Sequence, residues 1–144
     1  MSVPADAPLR DNQRIVVNDE EGIVAARQSA REVAKGPGFG LVDQSRIATA
    51  VSELTRNVLR YATDGRGEVR IAAVSAPDTR TGIEIVVHDE GPGIPDVDQA
   101  LREGFSTGKG LGMGLPGTRR LMDEMTIDSA SSRGTTVTIR KWRC

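Results

Sequence analysis

Three stretches of this chain place reactive or ligating residue types at spacings that chemistry uses. In the first, Glu53-Leu54-Thr55-Arg56-Asn57, a carboxylate and an amide stand four residues apart. On a helix at 100° per residue they fall about 240° and about 280° round from Ile47, one turn apart on one face. A carboxylate beside an amide oxygen suits a base paired with a ligand for Mg²⁺, which prefers hard oxygens. Taken alone, ExxxN is also the pattern of a solvated helix face. The second stretch, Asp89-Glu90-Gly91-Pro92-Gly93-Ile94-Pro95, directly follows an apolar run. An aspartate at a strand end can accept from an exocyclic amino group, and glycines two and four residues on let backbone pass close to a flat ring. By itself DxGxG is also simply a turn. The third, residues 104–117, holds six glycines in fourteen positions, among them Gly108, Gly110, Gly112 and Gly114. Such a segment ahead of a helix can turn its amides toward phosphate oxygens. A plain surface linker would be polar throughout, whereas Leu111, Met113 and Leu115 are apolar.

Other phosphate and nucleophile patterns fail. Gly112-Met113-Gly114-Leu115-Pro116-Gly117 spells G-x-G-x-x-G but follows no strand, and Thr136 and Val137 stand where the ribose acid belongs. Lys109 precedes Gly110 rather than Ser or Thr, which removes a Walker A loop. Neither H-R-D nor D-F-G occurs, and the single histidine, His88, excludes HExxH. His88 sits in an apolar run and is read as packing, with a catalytic or phosphoacceptor role as the alternative.

These stretches need elements to hold them. Arg14 to Val17 reads as a strand; Asn18, with Glu21 three residues on, has the capping-box spacing for a helix reaching about Lys35. Gly36-Pro37-Gly38 ends it. Asp43 caps a second helix to about Ala62, whose buried stripe is Ile47, Ala50, Val51, Leu54, Val58 and Ala62. Glu53 and Asn57 flank that stripe. Val69–Val74 and Ile83–Val87 pair as a hairpin, a helix runs from about Pro116 to Glu124, and strands cover Met125–Ser129 and Thr135–Trp142. The order predicts a two-layer α/β sandwich, with a mixed, mostly antiparallel sheet and helices on one face.

Composition bounds the rest. The chain of 144 residues has room for one domain, expected over 13–144 behind a loose tail at 1–12. It carries 19 Lys+Arg against 20 Asp+Glu; sixteen of the cations are arginine, dispersed without a run. With four aromatics and no basic block, nucleic acid is not an expected partner. No stretch approaches about 18 uncharged apolar residues, so no membrane span is expected. The first residues do not resemble a secretory signal. Cys144, the lone cysteine, forms no internal disulfide, and the expected compartment is the reducing cytoplasm.

Together and in this order, ExxxN, DxGxG, the GLGMGL segment and Gly134-Thr135 entering a strand resemble the Bergerat (GHKL) ATP-binding fold over residues 45–140. Within it, Ile23–Gln28, Gly38–Gln44, Asp89–Asp96, Gly104–Thr107, Leu115–Gly117 and Arg120–Glu124 are similar to the anti-sigma-factor serine/threonine kinases, above all the stressosome switch kinases. The resemblance implies ATP and Mg²⁺. It makes Glu53 the general base and Asn57 the metal ligand. Asp89 becomes the acceptor of the adenine amino group, with Gly91, Gly93 and Ile94 in the same loop and Thr135 supporting the contact. Gly108, Lys109, Gly110, Leu111, Gly112, Met113, Gly114 and Leu115 become the phosphate-covering lid. Lys109 departs from the small residue expected there, and either meets phosphate or solvates the loop. Arg56 and Arg60 lie near the Glu53 face.

What the resemblance implies for function is a kinase acting on STAS-domain proteins of a stressosome-like scaffold. On release it would activate a PPM-type phosphatase or another output protein. Two alternatives use the same site. One is an ATP-gated binding module without turnover, which would have no need of a base at Glu53. The other is an anti-sigma factor that holds a sigma subunit directly.

Overall fold

A computed structural model describes residues 13–61, 66–90, 114–129 and 134–143. In chain order these form β1 (Gln13–Val17), α1 (Glu20–Lys35), α2 (Leu41–Tyr61), β2 (Gly67–Ser75), β3 (Thr81–Asp89), α3 (Gly114–Leu121), β4 (Glu124–Ser129) and β5 (Thr135–Trp142). The expected tail at 1–12 and Ala62 lie outside the described residues.

The strands make one sheet in the order β1-β2-β3-β5-β4, every pairing antiparallel. Alternation sends Val69, Ile71, Ala73, Ile83, Ile85, Val87, Val137 and Ile139 toward the helices, where all are buried. They join Ile23, Ala26, Ala30 and Val33 of α1 and the α2 stripe Ile47, Ala50, Val51, Leu54 and Val58 in one core. This is the expected two-layer α/β sandwich. The other sheet face is polar and carries ion pairs, among them Arg140 with Glu84 at 2.6 Å and Arg14 with Glu68 at 2.7 Å. At one end of that face Val74, Ala76 and Trp142 form a small second cluster.

Helix boundaries correct three expectations, each for a hydrogen-bonding reason. Asp19, not Asn18, caps α1: its backbone is extended and its carboxylate accepts from the Gly22 N–H at 2.9 Å. At α2 the first acceptor is the Gly40 carbonyl, taken by the Gln44 N–H at 2.9 Å. Asp43 therefore lies inside the first turn, paired with Arg46 at 3.1 Å, and is not the cap. The third helix is shifted as well, running Gly114–Leu121 rather than Pro116–Glu124. Asp123 leaves it to donate its N–H to the Arg140 carbonyl at 3.0 Å, while its carboxylate accepts from the Trp142 N–H at 2.7 Å. Glu124 is then already in register with Arg140.

Candidate active site

α2 carries the first half of the site. Two of its buried polar residues are satisfied along the helix, Thr55 donating to the Val51 carbonyl at 2.7 Å and Ser52 to the Ala48 carbonyl at 2.9 Å. Glu53 and Asn57 flank this buried face, both partly exposed as their spacing predicts. The Glu53 side chain retains 13% exposure, and its carboxylate meets the Arg56 guanidinium at 3.3 Å.

The sheet carries the second half. Asp89 ends β3 directly opposite Thr135, the first residue of β5. Thr135 is buried, and its hydroxyl lies 2.9 Å from Ser129 Oγ, which also donates to the Gly134 carbonyl at 3.2 Å. Gly134 has φ +80, and a Cβ there would come within 2.1 Å of the Asp89 carbonyl oxygen. Only glycine allows β5 to enter the sheet this close to Asp89.

Gly67 joins the two halves. It is the register partner of Asp89 on the other side, and a Cβ at Gly67 would lie 2.8 Å from Val58 and 2.6 Å from the His88 carbonyl. Val58 follows Asn57 directly, so α2 presses its Asn57–Val58 turn onto the end of the sheet that carries Asp89 and Thr135. α3 packs against α2 as well.

These donors fit the nucleotide and metal that the resemblance implies. Asn57 and Glu53 supply hard oxygens one turn apart. Asp89 supplies a carboxylate beside the buried Thr135 hydroxyl, an acceptor with a hydroxyl suited to the amino edge of adenine. Among the described residues, no group of three or more His, Cys, Asp or Glu is placed to hold a metal by itself.

The structure pairs Asp89 with Thr135 at one end of the sheet and lays Val58, the neighbour of Asn57, against the same end; Glu53 lies one helical turn earlier on α2. Gly114 opens α3, and the Leu115 side chain is buried in the core. Gly91, Gly93, Ile94, Gly108, Lys109, Gly110, Leu111, Gly112 and Met113 lie outside the described residues. Sequence reasoning missed Ser129, which carries no local signal, and Gly67, whose role is a contact between two elements. It also misread His88. The ring is not packed in the core; it lies on the polar face, hydrogen-bonded at both nitrogens. The alternation of β3 gives this away, since His88 shares parity with Glu84 rather than with Ile85 and Val87.

Comparison with known proteins shows the family. Residues 42–143 match the family described as histidine kinase-, DNA gyrase B-, and HSP90-like ATPase. The serine/threonine-protein kinase RsbT of Bacillus subtilis is 48% identical over 134 residues, spanning 93% of this chain and 98% of RsbT. The anti-sigma F factor of Geobacillus stearothermophilus is 34% identical over 69% of this chain and 70% of its own length. Among solved structures, the mycobacterial sensor histidine kinase MprB shares the fold at a TM-score of 0.55 and 19% identity, over 91% of this chain and 97% of that one. The chain belongs to the histidine kinase-, DNA gyrase B- and HSP90-like ATPase family and, within it, to the serine/threonine-protein kinases that RsbT represents.

Proposed function

We propose that this kinase transfers the γ-phosphoryl group of ATP to a serine or threonine of a STAS-domain protein in a stressosome-like scaffold, working in the cytoplasm. The observation that carries the reading is the approach of α2, at Val58 beside Asn57, to the end of the sheet where Asp89 pairs with Thr135. Asp89 accepts from the adenine amino group, and Thr135 supports that contact. Glu53 takes the proton from the substrate hydroxyl as its oxygen bonds to phosphorus and ADP departs. Arg56 neutralises part of the Glu53 charge in the free protein. Asn57 is the protein ligand for Mg²⁺, which when bound offsets charge on the phosphate oxygens. The glycine-rich residues 108–115 cover the phosphates.

A base at Glu53 favours turnover over an ATP-gated binding module. Partner switching then follows from added charge. A phosphorylated scaffold surface carries roughly two more negative charges, and a kinase that binds it less tightly than the unmodified surface is released. The freed kinase activates a PPM-type phosphatase or another output protein. The likeness to anti-sigma F factors supports partner switching as the general mode, and direct capture of a sigma subunit is the competing reading.

Incubating the STAS proteins encoded nearest this chain with γ-labelled Mg-ATP tests the assignment. Wild type should label a Ser or Thr. Glu53→Ala should lose about 10²–10⁴-fold in rate. Asp89→Asn should weaken ATP binding by about 10- to 100-fold, the worth of a hydrogen bond to a charged acceptor. Tight ATP binding by wild type without any label would favour the binding module.

A further inference from the structure

We propose that His88 is a positioning residue for the nucleotide base: its imidazole ties Glu90 to β5 and so fixes the backbone that carries Asp89. This rests on the assignment of Asp89 to the adenine amino group made above.

The geometry is a clasp closed around Asp89. His88 Nδ1 lies 2.7 Å from Thr136 Oγ1, and Nε2 lies 2.9 Å from Glu90 Oε1. His88 and Thr136 are register partners, one step from the Asp89–Thr135 pair. Asp89 therefore sits between the two residues that the ring connects. From the other strand, a Cβ at Gly134 would meet the Asp89 carbonyl oxygen at 2.1 Å and Glu90 Cα at 3.1 Å. The Asp89–Glu90 backbone is thus backed by Gly134, while the clasp holds the Glu90 side chain to the sheet. Without the ring, that tie is lost just where the chain leaves β3.

The donors of the clasp follow from its partners. A carboxylate only accepts, so Nε2 carries a proton toward Glu90, and Nδ1 of the neutral ring accepts from the Thr136 hydroxyl. The other charged neighbours on this face are Glu68, opposite His88 on β2 and already held by Arg14 and Arg70, and Asp128 on β4, in register with Thr136.

Calorimetric titration of the full chain with Mg-ADP at about pH 8 tests this, using wild type, H88Q, H88L, E90A and D89N. A solvent-exposed hydrogen bond of this kind supports an effect of about two- to fivefold in Kd. H88Q, able to donate to Glu90 and accept from Thr136, should stay within about twofold of wild type. H88L, and E90A, which removes the acceptor, should each bind about two- to fivefold more weakly than H88Q. Wild-type affinity in H88L, or H88Q binding as weakly as H88L, would overturn the proposal. D89N separates the layers: if it binds as wild type does, the adenine assignment itself falls, whereas weak binding by D89N with no effect at His88 removes only the clasp.

Discussion

At the scale of single residues, the site depends on two glycines as much as on its functional groups. Gly134 holds a left-handed backbone with the Asp89 carbonyl 2.1 Å from where a Cβ would stand. An alanine there must move the entry of β5, carrying Thr135 away from its partner. Gly134→Ala should therefore cost more than about 1 kcal/mol of stability and weaken ATP binding along with it, measured by urea unfolding and by nucleotide titration. The positions of the candidate side chains were legible because their spacing is periodic: Glu53 and Asn57 flank the stripe that 3.6-residue periodicity assigns to the core. Ser129 was not legible, since its contact with Thr135 exists only after β4 and β5 pair. His88 was misread because the residues before it, Ile85, Val86 and Val87, are apolar, although alternation turns it to the opposite face.

At the scale of elements, strands were read more reliably than helix ends. Runs such as Ile83–Val87 declare themselves by composition, whereas a cap depends on which of several acceptors the backbone geometry favours. Asn18 and Asp19 are both good caps by type, and only the extended conformation at Asp19 decides between them. Asp123 and Glu124 look helical in sequence, but cross-strand bonds to Arg140 and Trp142 capture them. The polar sheet face adds a pH-dependent contribution. Hydrogen bonds from Arg14 and then Arg70 hold the Glu68 carboxyl below its ordinary 4.5. A carboxylate with a lowered value contributes stability that is full above the ordinary value and lost as pH falls through the lowered one. The urea midpoint of wild type should drop more steeply than that of Glu68→Gln between about pH 5 and about pH 3. Fluorescence of Trp142, the only tryptophan, reads both curves.

At the scale of the whole molecule, the fold works as a clamp on one end of a sheet. The core joins α1, α2 and the inner face of the sheet into a single packed layer, and α3 closes against α2 with Leu115 and Met122 buried in the same core. The central strands β3 and β5 end in Asp89 and begin with Thr135, while α2 reaches the same end through Val58, the neighbour of Asn57. Length and composition pointed to one such domain, and the order of motifs along the chain pointed to its architecture. Neither could show that Gly67 lets α2 reach the strand end, because that contact joins residues from two elements. No helix among the described residues is long and apolar enough to cross a membrane. The most direct test of the central claim is the single-turnover rate of phosphoryl transfer from saturating Mg-ATP to a STAS-domain substrate, compared between wild type and Glu53→Gln. The base assignment predicts a rate lower by about 10²–10⁴-fold in Glu53→Gln with nucleotide affinity within about twofold of wild type. An unchanged transfer rate in the variant would contradict it.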